Sequence, residues 1–448
     1  MICYSAAEKR NLQQLMQRIN FPALCQRAGQ LRNNIACLAL LPKDHGDFNG
    51  LNSRRGNFHV EIRFEDGVSW LVKFPHIING EIIEQIKRPS REETNFDRVS
   101  ELAIYHVLKG TNIPVAAIYD LALDEAEDNP VGLGYIMMQK LPGRRMEKSD
   151  WEQASHDQKT KILHQLRDMF LELEKLPCRL IGRPILSEDF RTVHVGPAYL
   201  DYDENGNIVP HGPFSLAPVW RDTVMKCNRE MISNGEVVFQ NRADDFLAYN
   251  FLCENTPSFH NPTSWSGSFF LKRHHTYSDD LLIDENYNIT GITGWSGSYF
   301  APTETAFQSP LFLADMLSSP DKTSQDEENF AKEFEEIGRT DIAHIIRGSK
   351  KLRCFEFFMN VPSPFLFTKP MFLLYFESVW RWITGSDAEF SWEAFKSHEA
   401  RVRLATEVQA AIASQVPLEP DSICQGLGTL FQDDWICVPP ENNSLDII

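Results

Sequence analysis

A lysine and a glutamate occupy positions from which they could hold the phosphates of a nucleotide. Lys73 ends a run that alternates like a strand, and Glu101 follows in a segment with helical periodicity. A lysine fixed on a strand supplies positive charge to phosphate oxygens, and a glutamate on the adjacent helix holds that lysine in place. Glu92 and Glu93 are competitors for the glutamate role. The alternative is that Lys73 and Glu101 are solvated charges on the surfaces of their elements.

Side-chain periodicity predicts the elements that carry these residues. Two antiparallel strands joined by the Glu65-Asp66-Gly67 turn precede a helix that stops at Gly110, and two more strand-like stretches follow. In chain order, the predicted elements are a strand at 58–64, a strand at 68–74, a helix at about 92–109 and strands at 115–123 and 135–139.

The composition changes near residue 140. From Ser155 onward, apolar residues recur at helical spacing, so a strand-rich part precedes a mostly helical one. A short strand pair at 279–284 and 289–295 interrupts the helical part. The predicted division is an N-terminal helical segment at 1–40, a small lobe at 41–140, a helical large lobe at 141–416 and an acidic C-terminal tail at 417–448.

Charge and cysteine content exclude several classes of protein. The 448 residues include 44 Lys and Arg against 62 Asp and Glu, a formal net charge of −18, which disfavours nucleic-acid and anionic-membrane partners. The sequence has neither a secretory signal pattern nor an uninterrupted apolar run long enough to span a membrane. Nine cysteines without C-x-x-C spacing indicate reduced thiols rather than a disulfide framework or a zinc site. We therefore expect a cytoplasmic location.

Several motifs follow one another in a fixed order. They are WLVKFP at 70–75, SELA at 100–103, NIPV at 112–115, YIMMQKLPG at 135–143, LLID at 281–284 and ITGI at 289–292. This series resembles the aminoglycoside phosphotransferase family of the protein-kinase-like superfamily, particularly its fungal branch. The resemblance implies an α+β, two-lobed protein-kinase-like fold, in which a small antiparallel β-sheet lobe of five strands and a larger, mainly helical lobe enclose a nucleotide cleft.

The resemblance also implies which residues bind ATP. Met137, Met138 and Gln139 fall in the hinge segment that would hydrogen-bond the adenine. Lys73 and Glu101 would position the phosphates. A nucleotide and a small-molecule substrate are therefore the expected partners.

The catalytic segment departs from the family pattern, in which one aspartate is the base and an asparagine and a later aspartate hold magnesium. Alignment places Arg273 at the leading histidine, His275 at the base, Asp280 at the asparagine and Gly294 at the later aspartate. Magnesium prefers carboxylate and phosphate oxygens. The glycine therefore leaves Asp280 as the candidate metal ligand and argues against a normal Mg²⁺ site. Asp279, beside it, is a second candidate for the catalytic base.

A glycine-rich stretch at 45–52 matches His-Gly-Asp-x-x-x-x-Asn letter for letter. It precedes the Lys73 hairpin, and Ser53-Arg54-Arg55 follows it where a hydrophobic strand should begin, so its context is wrong for a catalytic loop. We interpret it as a loop that covers the phosphates, with Gly46 and Gly50 near the nucleotide. A plain surface loop is the alternative.

Two functions are compatible with this pattern. The first is ATP-dependent phosphorylation of a small hydroxylated molecule, impaired at His275 and Gly294. The second is a catalytically inactive pseudokinase that binds a nucleotide or a protein partner. If the alignment is correct, Gly294→Asp together with His275→Asp is expected to raise any residual activity.

Overall fold

The described part of the chain contains a five-stranded antiparallel sheet and a larger, mainly helical part, which confirms the predicted α+β class and two-lobed arrangement. None of the described helices combines the length and the apolarity needed to cross a bilayer. The computed structural model describes residues 14–41, 57–75, 91–124, 129–187, 191–202, 207–235, 242–261, 266–273, 277–316, 319, 321–359, 369–386, 388–398 and 406.

Strands and helices alternate in the first half, and helices dominate the second. The strands are β1 (Cys37–Leu40), β2 (Asn57–Phe64), β3 (Ser69–Pro75), β4 (Ile118–Ala122), β5 (Tyr135–Gln139), β6 (Arg144–Arg145), β7 (Pro184–Leu186), β8 (Val193–Val195), β9 (Tyr199–Tyr202), β10 (Ile208–His211), β11 (Phe270–Lys272), β12 (Leu281–Ile283), β13 (Ile289–Ile292) and β14 (Tyr299–Ala301). The helices are α1 (Phe21–Leu31), α2 (Arg91–Leu108), α3 (Lys148–Gln153), α4 (His156–Glu174), α5 (Ala217–Ser233), α6 (Arg242–Asn255), α7 (Thr303–Ala306), α8 (Gln325–Glu335), α9 (Thr340–Met359), α10 (Lys369–Thr384) and α11 (Trp392–Ser397).

The sheet that carries Lys73 has five antiparallel strands in the order β1-β2-β3-β5-β4. The predicted hairpin is confirmed as β2 and β3. Lys73 lies opposite His59 on β2 and Ile136 on β5. The residue is therefore on a central strand, where the ladders on both sides fix its backbone.

Alternate residues of the sheet enter two different cores, because successive side chains on a strand point to opposite faces. Val72 and Met137 belong to a core that includes residues of α1. Leu71 and Met138 belong to a larger core that includes residues of α2 and continues into the helical part. Burial on both faces holds the sheet between α1 and the rest of the molecule.

The helical segment predicted at 1–40 ends earlier than predicted, at Leu31. Asn20 caps α1, and Asn33 and Asn34, both with positive φ, end the helical stretch. β1 follows and pairs with β2, so residues 37–40 belong to the sheet. The four residues of β1 are all apolar, and they therefore lack the alternation that identifies a half-buried strand.

The helical part contains more strands than predicted. Helix α4 matches the prediction from Ser155, which caps the helix reciprocally with Gln158. The hairpins β7–β8 and β9–β10 and the pair β11–β14 were missed. Each of these strands has three or four residues, which is too short to show a period, and tertiary contacts such as the main-chain hydrogen bond from Ile181 to Phe214 hold them.

We predict that Leu24→Ala lowers the free energy of unfolding by about 2–5 kcal/mol, because Leu24 is fully buried between α1 and the sheet. The matched control is Leu38→Ala on β1, where the leucine is 52% exposed and the expected change is within about 0.5 kcal/mol. Denaturant unfolding of the full chain followed by tryptophan fluorescence measures both. Equal effects would contradict the docking of α1 on this sheet.

Candidate functional site

Lys73 and Glu101 form the predicted ion pair. The Lys73 Nζ lies 2.5 Å from Glu101 Oε2, and the two side chains are 12% and 5% exposed. The choice of Glu101 over its helix neighbours is confirmed. Removing one partner of a buried pair costs about 3–5 kcal/mol because it leaves the other charge uncompensated.

Helix α2 is anchored one turn before Glu101. Arg183 Nη1 lies 2.5 Å from Asp97 Oδ1, and its Nε donates to Ser100 Oγ at 3.3 Å. The guanidinium also lies 4.7 Å from the centre of the Phe96 ring. Sequence analysis missed this contact, because Arg183 lies more than 80 residues beyond its partners.

A neutral phenol lies beside the ion pair. Tyr105 follows Glu101 by one helical turn and is buried. Burial, together with the negative charge of Glu101, raises the pKa of the Tyr105 hydroxyl well above its ordinary value. The hydroxyl therefore stays protonated and adds no charge to the pair.

The three predicted hinge residues are the last residues of β5. Met137 and Met138 are buried, and each is paired with both neighbouring strands. The main-chain N–H of Gln139 donates to the carbonyl of Ala117 at 2.8 Å. Main-chain groups of this segment are therefore engaged in hydrogen bonds with the neighbouring strands and their connection, and the chain leaves the sheet only after Gln139.

The residues that follow Gln139 contact the strands next to the candidate catalytic segment. Gly143 has φ +92°, and a Cβ there would lie 2.2 Å from Thr290 Oγ1. Thr290 in turn donates to the Pro142 carbonyl at 2.7 Å. Strand β6 then pairs with β12, which is paired with β13.

The first carboxylate of the catalytic segment faces an arginine. Residues 278–280 form a short 3₁₀ turn before β12. Asp279 Oδ2 lies 3.4 Å from Arg145 Nη1, and the Asp279 side chain is 27% exposed. Asp279 thus keeps some access to solvent, which a base or a ligand would need.

The second carboxylate, Asp280, is buried and paired. Its Oδ2 lies 3.1 Å from Arg273 Nη2 and accepts a hydrogen bond from the main-chain N–H of Tyr277. Arg273 also donates to the Thr293 carbonyl at 2.6 Å, and its guanidinium lies 5.1 Å from the centre of the Trp295 ring. The Asp280 carboxylate therefore already has a cation beside it.

Gly294 packs against the same carboxylate. The main-chain N–H of Thr293 donates to the Asp280 carbonyl, which brings the two segments together. Gly294 has φ +75°, and a Cβ there would lie 2.6 Å from Asp280 Oδ1. A side chain at position 294 would therefore contact the Asp280 carboxylate unless that carboxylate moves, so the gain of activity expected for Gly294→Asp together with His275→Asp stays a prediction.

A magnesium ion does not fit at Asp280 as the described residues around it are arranged. Mg²⁺ demands octahedral oxygen ligands and usually keeps several waters. Asp280 is 1% exposed, with one oxygen held by Arg273 and the other packed against Gly294. Mg²⁺ binding through Asp280 Oδ2 would compete with the Arg273 guanidinium for that oxygen.

The remaining predicted site residues, His275, Gly46 and Gly50, lie outside the described residues. Sequence analysis placed Arg273 at the position of a histidine but did not predict its pairing with Asp280. The sequence did offer one signal for this pairing. Arg273 is always positively charged, and it stands between two short strands at a position where the family pattern has a histidine.

Comparisons with known proteins support no family assignment beyond the fold. The sequence matches no family model and no curated protein. One similar solved structure is aminoglycoside phosphotransferase APH(2'')-Ib with ADP bound, at 11% identity over 79% of this chain and 97% of that chain, with a TM-score of 0.40.

Two further solved structures are similar to this chain. One is the ternary complex of APH(2'')-IIa with streptomycin and ATP, at 10% identity over 88% and 99% of the two chains, with a TM-score of 0.43. The other is apo macrolide 2'-phosphotransferase MphH from Brachybacterium faecium, at 12% identity over 82% and 99%, with a TM-score of 0.37. The description of the site therefore rests on this chain's own residues.

We predict that Gly294→Ala destabilises the chain more than Gly338→Ala. Both glycines have positive φ, but a Cβ at Gly338 meets nothing within 4 Å. Gly338→Ala is therefore expected to cost about 1–2 kcal/mol from backbone conformation alone. Gly294→Ala should cost about 1–3 kcal/mol more because of the contact with Asp280.

The measurement is denaturant unfolding of three full-length variants, Gly338→Ala, Gly294→Ala and Gly294→Asp. Gly294→Asp should be the least stable of the three, since it adds a second carboxylate beside Asp280. Equal stability of Gly294→Ala and Gly338→Ala would show that Asp280 does not occupy this space.

Proposed function

We propose that this chain is a nucleotide-binding pseudokinase: it binds the phosphates of ATP through Lys73 without a metal-dependent phosphoryl transfer. The observation that carries the proposal is the Asp280 carboxylate, which is buried against Arg273 and Gly294. In phosphoryl transfer, metal ions bridge the phosphates and neutralise the developing charge. A carboxylate committed to a guanidinium does not supply that metal site.

The phosphate-binding half of the site supports nucleotide binding. Lys73 is on a central strand and is held by Glu101, whose helix is itself fixed by Arg183. A cation fixed in this way loses little freedom when it meets a phosphate, which favours binding. The adenine would be recognised by main-chain groups after Gln139, where the chain leaves the sheet.

An active phosphotransferase acting on a small hydroxylated molecule is the second candidate. It is favoured by the partly exposed Asp279, which could act as the base. A surface cleft lined by Ser278, Trp151, Phe312 and Asp315, among others, opens beside the 3₁₀ turn that carries Asp279. Asp279→Asn would abolish ATP-dependent turnover in this case and would leave nucleotide binding intact.

We predict that ATP stabilises the full chain against thermal unfolding and that Mg²⁺ changes its apparent Kd by less than about threefold. A ligand at about 100 times its Kd stabilises a protein by roughly 2.7 kcal/mol, so the shift is measurable. Lys73→Met should weaken ATP binding by about one to two orders of magnitude, because hydrogen bonds to charged groups contribute about 1.5–3 kcal/mol.

The matched control is Arg27→Met. Arg27 forms an ion pair with Asp120 of β4 at 2.8 Å, so the variant removes an equal charge and a salt bridge from the same lobe. Its ATP-induced shift should equal that of the original chain. Strong Mg²⁺ dependence with measurable ATP consumption would favour the phosphotransferase, and the absence of any shift with ATP would contradict both functions.

A further inference from the structure

A cysteine, a histidine and an aspartate converge beside the β9–β10 hairpin, outside the nucleotide site. The ligand atoms of Asp201, His211 and Cys227 all lie within 4.8 Å of one another. His211 Nε2 lies 3.7 Å from Asp201 Oδ2 and 4.0 Å from Cys227 Sγ. Cys227 is buried on α5, and the other two side chains are partly buried on the hairpin.

Contacts with Tyr199 hold the His211 and Cys227 side chains in place without a ligand. Tyr199 and His211 are opposite each other in the β9–β10 ladder, and their rings stack at 4.5 Å with an angle of 12°. The Tyr199 hydroxyl donates to Cys227 Sγ at 2.8 Å, which ties the hairpin to α5. The main-chain N–H of Ala198 donates to the His211 carbonyl and holds the end of β10.

The geometry differs from that of a nucleophilic triad. In such a triad the acid contacts one ring nitrogen of the histidine, and the nucleophile contacts the other. Here Asp201 and Cys227 both face Nε2 of His211. Three donor atoms of these types within 4.8 Å of one another are instead compatible with a metal site.

We propose that Asp201, His211 and Cys227 bind a divalent transition-metal ion, with Zn²⁺ the ion that best fits the three donors. A thiolate, an imidazole and a carboxylate are all zinc ligands, and a thiolate disfavours Mg²⁺ and Ca²⁺. Zinc–ligand distances of about 2.0–2.3 Å put tetrahedral donor atoms roughly 3.3–3.6 Å apart. The present separations of 3.7 and 4.0 Å reach that range with small side-chain movements.

The ion would join the hairpin to a helix of the large-lobe core. Three protein ligands leave the fourth tetrahedral position for water or another small donor. Helix α5 packs on α6, so an ion bound between α5 and the hairpin would stabilise this region of the fold. Binding to the folded chain alone raises its thermal stability by mass action.

A second group of this kind in the described residues, His164, Glu333 and Glu336, provides a comparison. It lacks a thiolate, and Glu336 is exposed. His164 Nε2 lies 2.6 Å from Glu333 Oε2. We make no proposal for this group and use it as a control.

The test is a Co²⁺ titration of the full chain after treatment with a chelator and dialysis, followed by displacement with Zn²⁺. The expected result is one equivalent of Co²⁺ with a thiolate-to-metal charge-transfer band and the d–d bands of tetrahedral cobalt. Cys227→Ser should lose the charge-transfer band. Asp201→Asn should keep the band and bind at least about tenfold more weakly.

Two matched controls should behave like the original chain. Cys253→Ser replaces a partly buried cysteine of α6 that donates to the Met225 carbonyl, and His164→Asn removes the histidine of the comparison group. Asp201→Asn preserves side-chain shape, so it remains informative even if Cys227→Ser fails to fold. Absence of stoichiometric Co²⁺ binding, or a charge-transfer band that persists in Cys227→Ser, would overturn the proposal.

Discussion

The ion pair between Arg273 and Asp280 constrains the centre of this molecule. Both side chains are almost fully buried, and removing ions from water costs several kcal/mol each unless they are paired. Either side chain alone would leave an uncompensated charge in the core. The pair therefore determines what its neighbours can be: Gly294 has no room for a side chain, and Thr293 presents its carbonyl to the guanidinium.

A second buried pair divides the site into two halves with different chemistry. Lys73 and Glu101 keep a cation on the sheet, where a phosphate could still reach it because Lys73 retains some exposure. At Asp280, by contrast, the charge is satisfied within the protein. The two halves thus differ in whether their charge is accessible to a ligand. Helix α2 maintains the first half because Arg183 and Lys73 hold it from two different elements.

Sequence reasoning predicted the features that follow from local periodicity or from motif order. The β2–β3 hairpin, helix α4 and the Lys73–Glu101 pair were all predicted correctly. The short strands of the helical part were missed because three residues carry no period. Two ionic contacts were also missed: Arg183 meets α2, and Arg145 meets Asp279, across long stretches of chain. Such pairings depend on tertiary packing, which no spacing in the sequence encodes.

The spacing of the cysteines is a second example of what the sequence alone does not encode. The absence of C-x-x-C spacing argued against zinc, yet that argument concerns only sites built from paired cysteines. Cys227 meets His211 and Asp201 through a hairpin that was not predicted, so no regular spacing relates the three. A metal site with one cysteine becomes visible only when the fold has brought its donors together.

Gly294 also restricts how this loop could change during evolution. An aspartate there would contact Asp280 in its present position, and moving the Asp280 carboxylate away would weaken its ion pair with Arg273. Substitutions at these three positions are therefore coupled, as neighbours that share one interaction generally are. A carboxylate at position 294 would be better tolerated once Arg273 or Asp280 had been replaced, so the order of the substitutions would decide how stable the intermediates are.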